Sequence, residues 1–248
     1  MYRTRWKQTR IAAAVLGVAA IAALDGGIPA VATEEVGSEQ VEAAEALISL
    51  PAAAQGAPIE VVEIHEYQGE RLGSVSDFRE NSIQGVQYVD ETTYSLVLDG
   101  LVDEPVSWSY AKLSAMEHLA KLVTIHCVEG WSVKALWEGI PLARLFEQAR
   151  PLGEANTVIF HAADGYTTSL PLDFVLERNL IIADKINGIV LPPENGFPFE
   201  LVAEDRWGYK WIKWIVRIEL SDDPSYRGFW ESRGYSNDGD VDGSKYEN

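Results

Sequence analysis

The chain is poor in cysteine, in positive charge and in long apolar runs. It carries one cysteine, Cys127, in 248 residues. That excludes an intrachain disulfide, a CxxC redox pair and a multi-thiolate zinc site. A lone thiol is either buried and inert or kept for its chemistry. Lysine and arginine number 20 against 38 acidic residues, for a formal net charge of -18. An acidic surface repels phosphate backbones, so no nucleic-acid partner is expected. No CxxCH haem motif and no flavin fingerprint occurs, and no apolar run reaches the about 20 residues of a spanning helix.

What is present begins with an N-terminal segment of targeting type. Arg3, Arg5, Lys7 and Arg10 precede the uncharged run Ile11 to Leu24, Asp25-Gly26-Gly27 breaks it, and Ala30-Val31-Ala32 offers small residues for cleavage. Residues 1–32 therefore read as a signal peptide or an N-terminal membrane anchor, which places the protein outside the cytoplasm, secreted or tethered. Residues 33–58, rich in Ala, Glu, Gly and Pro, read as a flexible linker. A globular domain is expected over 59–225, followed by a C-terminal tail, 226–248, whose acidic, Gly-rich end is expected to be loose.

Within the domain, hydrophobic residues at 47% of the chain and eight Trp and ten Tyr supply a large aromatic core or a walled pocket. Short strands are predicted at Ile59 to Tyr67, Tyr94 to Leu98, Lys121 to His126, Thr157 to His161, Tyr166 to Leu170, Leu180 to Ala183, Ile189 to Leu191, Phe199 to Ala203 and Trp211 to Leu220. Asn187-Gly188 marks a hairpin. Pro141 and Pro171 open short helices, the first with Leu142, Leu145 and Phe146 on one face. In the last strand, alternation puts Ile212, Trp214, Val216, Ile218 and Leu220 on one side and Lys213, Arg217 and Glu219 on the other. Strands outnumber helices, so the expected class is α+β with a strand-dominated core and short connecting helices.

Cys127 sits where the strand ending at His126 runs out into Cys127-Val128-Glu129-Gly130-Trp131-Ser132. A side chain at a strand end can project into a pocket, and a thiolate is a soft ligand suited to a redox metal. Alternation turns His126 to the opposite face, as a structural residue. A cysteine hydrolase would need His161 or His118 beside Cys127 as its base. Glu194-Asn195-Gly196 by itself reads as a turn, and His65 has no chemical case.

The segments LVTIHCVEGWSV, WEGIPLARLFEQA, VIFHAADGYTTSLPLD, INGIVLPPENGFPFELVAEDRWGYKWIKWIVRIEL and RGFWESRGYSNDGD closely resemble, in order and spacing, the molybdopterin-binding domain of the sulfite oxidase and methionine-sulfoxide reductase superfamily. The resemblance covers about Phe78 to Asp240. It implies a sulfite-oxidase-like fold and a molybdopterin cofactor carrying Mo, or W, with Cys127 as its protein ligand and catalytic centre. It further implies oxygen-atom transfer on a small-molecule substrate, with electrons exchanged with a separate carrier, such as a membrane protein.

By the same resemblance, Trp211-Ile212-Lys213 matches the segment that contacts the pterin phosphate, with Arg206 and Lys210 as helpers. Asn195 and Asn81 match pterin contacts, His161 precedes a loop lining the cofactor, and Tyr166 faces the substrate side. The chain also departs from the family. Glu200 stands where one branch carries an arginine, Arg79 is the lone cation between Ser74 and Ala111, and Thr4 separates Arg3 from Arg5 where folded export uses an adjacent arginine pair. Those departures favour substrates other than sulfite. They also keep open a cell-surface binding module that retains the fold without the cofactor.

Overall fold

The structure is a computed structural model and describes residues 62–247. The signal or anchor segment, the linker and the start of the strand expected from Ile59 lie outside these residues. Twelve strands, β1 (Glu66–Tyr67), β2 (Glu70–Arg71), β3 (Ser95–Gly100), β4 (Val106–Ser109), β5 (Leu119–His126), β6 (Ser132–Pro141), β7 (Thr157–Ala162), β8 (Thr167–Pro171), β9 (Ile181–Ile186), β10 (Ile189–Val190), β11 (Glu200–Val202) and β12 (Ile215–Ser221), carry the fold. Three short helices, α1 (Tyr110–Ser114), α2 (Leu142–Ala149) and α3 (Leu172–Glu177), connect them. The expected strand-dominated α+β class holds.

β1 and β2 pair as a small two-stranded sheet; of the two five-stranded sheets, the first has the order β10-β9-β6-β5, with β11 also paired to β9, and the second β4-β3-β12-β7-β8. The β3–β12 pair is parallel, which needs a long excursion of chain between the two strands, and that excursion carries the whole first sheet. The buried cluster draws on both sheets and all three helices, with Trp108, Trp137, Phe160 and Phe199 among its largest members. In α2 the predicted face of Leu142, Leu145 and Phe146 is buried, and the helix ends at Arg150 in the left-handed conformation, φ 54°. Pro141 and Pro171 each stand at the residue before a helix.

Three differences from the expectations have physical causes. The β6 strand, full-length partner of β5 from Leu119↔Gly139 to His126↔Ser132, was not anticipated, because Gly139 and Pro141 read locally as breakers. Gly139 is there for close approach: a Cβ on it would stand 2.0 Å from the Ile182 carbonyl oxygen. The last strand begins at Ile215, not Trp211, because Trp214 adopts φ 53° and a bulge separates Ile215 from Arg217. The predicted alternation therefore slips, and Ile215 is buried in place of Val216.

The C-terminal end, expected to be loose, is packed down. Lys210 and Glu231 form a fully buried ion pair, Nζ to Oε1 2.7 Å. Isolated bridges join Arg206 to Asp240 and Tyr235 to Tyr246. Trp207 N–H donates to the Gly239 carbonyl at 2.7 Å. The aromatic residues of the tail anchor it, since Tyr235 packs against Tyr209, Trp230 and Tyr246 at centroid distances of 5.0–5.3 Å.

Candidate functional site

The loop after β5 is tight. Cys127 N–H donates to the Trp131 carbonyl at 2.9 Å, and Gly130 N–H donates to the Cys127 carbonyl at 3.0 Å. Gly130 takes φ 89°, which a side chain would strain. This turn carries Cys127 out of the ladder to the edge of a cavity of about 260 Å³. His126, still in the ladder, holds Ser132 Oγ at 2.8 Å and does not line the cavity.

The cavity is walled by segments far apart in the chain: Phe78, Arg79 and Asn81 to Ile83, the Cys127 loop, Asp164 and Tyr166 after β7, Glu194 and Asn195, Glu200 at the start of β11, Gly208, Tyr209 and Trp211 to Trp214, and Trp230 and Tyr235 of the tail. Phe78 meets Trp131 and Trp137 edge-on at centroid distances of 6.2 and 5.7 Å, and Trp137 packs on Trp211 at 5.4 Å. These aromatic contacts brace the walls. Cys127 is 8% exposed. Burial pushes its thiol up from the ordinary cysteine range; the Glu129 backbone N–H draws it down, the Glu129 carboxylate raises it, and Lys245 and Arg79 lower it. Without a cation beside the sulfur the neutral thiol is favoured; a metal ion supplies the charge that a thiolate needs.

Of the residues named from the sequence, Cys127, Asn81, Tyr166, Asn195, Trp211, Ile212 and Lys213 line this one cavity. Lys213 Nζ donates to Glu80 Oε1 at 3.2 Å and to the Glu194 carbonyl at 3.1 Å, and lies 4.4 Å from the Trp214 ring. Asn81 Nδ2 donates to Glu129 Oε1 at 3.0 Å. Tyr166 Oη donates to the Tyr209 carbonyl at 2.5 Å, and burial holds its hydroxyl well above the usual tyrosine range, so it stays protonated.

His161, Arg206 and Lys210 do not line the cavity. His161 Nε2 lies 3.0 Å from Glu219 Oε2 and 3.1 Å from Arg217 Nη1, in a polar cluster on β7 and β12. Arg206 stacks over Phe174 at 3.8 Å and bonds Asp240 at 3.1 Å. Lys210 is consumed by Glu231 and by the Ser169 carbonyl at 3.0 Å. His118 holds Asp184 at 2.9 Å and the Met116 carbonyl at 2.8 Å. No histidine lines the cavity, so a Cys–His hydrolase has no base at hand among the described residues.

The sequence reading did not assign Arg79, Ser82, Trp131, Glu200, Tyr209, Trp230 or Tyr235 to the site, yet all line it. Trp131 is inside the recognised cysteine motif, so its signal was available; Trp230 and Tyr235 arrive only through the folding of the tail. Two of these walls carry buried polar atoms without a protein partner, Ser82 Oγ and Trp131 Nε1. Asn195 and Glu200, 6% and 5% exposed, line the same cavity as these orphaned groups. Such orphaned groups are costly unless a ligand or water completes them. A soft thiol, an aromatic-walled hollow, unfilled hydrogen-bonding positions and a lysine at one side suit a polar heterocycle that bears an anionic end and a soft-ligated metal.

Comparison with known proteins identifies the family. The family described as "oxidoreductase molybdopterin binding domain" matches residues 83–230. An uncharacterized oxidoreductase, YuiH, of Bacillus subtilis (strain 168) is 38% identical over 154 residues, 62% of this chain and 77% of the relative. A putative protein-methionine-sulfoxide reductase subunit, YedZ1, of Azospira oryzae is 31% identical over 152 residues, 61% of this chain and 57% of its own length. The solved sulfane dehydrogenase SoxCD of Paracoccus pantotrophus shares the fold, with a TM-score of 0.54 at 23% identity over 56% of this chain and 41% of that one. The chain belongs to the sulfite oxidase family of molybdopterin-binding oxidoreductases.

Proposed function

We propose that this protein is an oxygen-atom-transfer oxidoreductase acting outside the cytoplasm, with Cys127 as protein ligand to a pterin-bound molybdenum or tungsten. The observation that carries the reading is the placement of Cys127 on one cavity wall and Lys213 on another, with unpartnered polar groups between. When bound, the pterin–metal group supplies two-electron redox chemistry and passes an oxygen atom to or from the substrate.

The chain's own residues then have distinct tasks. Cys127 holds the metal, and the tight turn through Gly130 fixes the direction from which it does so. Asn81, Asn195, Trp131 and Ser82 offer hydrogen bonds along the pterin, and Trp211, Ile212 and Lys213 receive its anionic end. Tyr166, kept protonated by burial and with its one O–H given to the Tyr209 carbonyl, offers its hydroxyl oxygen as an acceptor on the reacting side. Phe78, Trp131 and Trp230 give the cavity apolar walls that limit water. The substrate is a small molecule with a transferable oxygen or a lone pair that accepts one, such as a sulfoxide or N-oxide. A separate carrier exchanges the electrons, since the chain has no haem motif; a membrane partner accords with the N-terminal segment.

Native purification with elemental and pterin analysis tests the proposal. About one Mo or W per chain is expected, absent from Cys127→Ser while the fold remains. Metal-free, well-folded wild-type protein from cells that make the cofactor would instead favour the binding-module reading, which Glu200 and the separated Arg3 and Arg5 support.

A further inference from the structure

Glu200 is the cavity-wall residue that the proposed chemistry does not use. It opens β11, where its backbone pairs with Ala183 of β9; the residue is 5% exposed, and burial and the Lys213 charge are what act on its carboxyl. Its stem lies beside that of Lys213: a Cβ on Gly196 would stand 2.9 Å from Glu200 Cβ and 3.2 Å from Lys213 Cβ. Only a glycine, here at φ 96°, lets the two side chains converge. The cavity already holds more carboxylates than cations, with Glu129, Asp164 and Glu194 against Arg79 and Lys213. An ionised Glu200 would oppose any anion that Lys213 attracts.

We propose that Glu200 works as a neutral carboxylic acid that donates its O–H to the phosphate end of the bound pterin beside Lys213, so that cofactor and one proton are held together. This rests on the pterin reading above. A protonated carboxyl has one donor and one acceptor where an ionised one has acceptors only. Burial raises Glu200 to about 8, and Lys213 is the charge that pulls it back. The other charged groups nearby leave that balance in place. Glu80 is bonded to Lys213, Glu194 engages Lys213 through its carbonyl, and Arg79 is at the exposed rim. On β9, Asp184 is taken by His118. A phosphate placed against Glu200 raises its proton affinity further, so binding and protonation reinforce each other.

The test uses the cofactor-loaded protein. Pterin retained at equilibrium is measured by fluorescence after gel filtration from pH 6.5 to 9.5, for wild type and Glu200→Gln. Wild-type affinity is expected to fall by about tenfold per pH unit above about pH 8, the slope of one linked proton. Glu200→Gln keeps a donor and an acceptor without the charge, and its retention is expected to stay flat within about twofold beyond the phosphate's own titration. Calorimetry of inorganic phosphate binding to metal-free wild type at about pH 9, where free Glu200 is ionised, in two buffers of different ionisation enthalpy, should show uptake of a proton, so the idea stays testable if the variant misfolds. Pterin-loaded wild type whose retention ignores pH, an unchanged profile in Glu200→Gln, or phosphate binding without proton uptake overturns the inference and leaves the enzyme reading standing. Wild type that never carries pterin overturns both.

Discussion

Lys210 and Lys213 stand three residues apart in one segment, yet occupy opposite kinds of surroundings. Around Lys210 the protein supplies every partner: Glu231, the Ser169 carbonyl and a sealed aromatic tail. Around Lys213 it supplies a carboxylate, a carbonyl and a tryptophan face, and leaves the rest of the wall open to the cavity. One lysine closes the structure, and the other is available to a ligand. The difference teaches that cation content near a motif does not locate an anion site; what matters is which cation the fold has left with unfilled space beside it.

Removing the buried cation should break the comparison most strongly. Lys210→Met leaves Glu231 charged and unpaired at 1% exposure, with its Oε2 already lacking a partner. A loss of about 3–5 kcal/mol in denaturant unfolding is expected. The double variant Lys210→Met with Glu231→Leu should recover most of it, because the uncompensated charge goes too. A double variant as unstable as the single one would show that the packing of Lys210's stem, not its charge, holds the tail.

The next effect is pH-dependent and belongs to the Lys213 side. Glu200 keeps its proton up to about pH 8 in the folded protein, against an ordinary value of 4.5. Its contribution is thus fully present below pH 4.5 and is lost as pH rises to 8. The loss approaches about 1.4 kcal/mol per pH unit at most. Glu200→Gln removes this dependence, so the cofactor-free variant should gain on wild type between those limits and by a constant amount above them. Thermal unfolding at a series of pH values reads the difference; parallel curves for the two proteins would mean that water reaches the carboxyl and no raised affinity exists.

Lys213→Ala should change stability little, by about 1 kcal/mol or less, since its ion pair with Glu80 is partly solvated. Its pterin content should instead fall, with affinity reduced about tenfold or more through the lost charged donor. Equal pterin content in the variant and the parent would remove Lys213 from the anion site. The smallest effect is expected for Trp131→Phe. Its indole N–H has no protein partner, so cofactor-free stability should shift within about 0.5 kcal/mol, while pterin retention weakens measurably.

Much of the domain could be read along the chain because its signals are local. Short β-branched and apolar runs such as Thr157 to His161, the prolines before α2 and α3, and Asn187-Gly188 each bias a few neighbouring dihedrals, and strands, helices or turns follow at those places. The cysteine motif was equally legible, and with it the candidate ligand at Cys127. His126 could be assigned away from the site by alternation alone, and its bond to Ser132 agrees.

The sequence by itself determined the class, the cysteine loop and the order of most elements, since those depend on residues close in the chain. Tertiary structure decided which side chains share the cavity. Trp214 at positive φ and the bulge after Ile215 separate Lys213 from Arg217, which plain alternation had put on one face. Glu231 reaches back across 21 residues to claim Lys210, and the C-terminal tail, whose end was expected to be loose, brings Trp230 and Tyr235 to the wall. These outcomes follow from long-range pairing and burial, where a group's fate depends on what packs against it, and that information is spread over the whole fold.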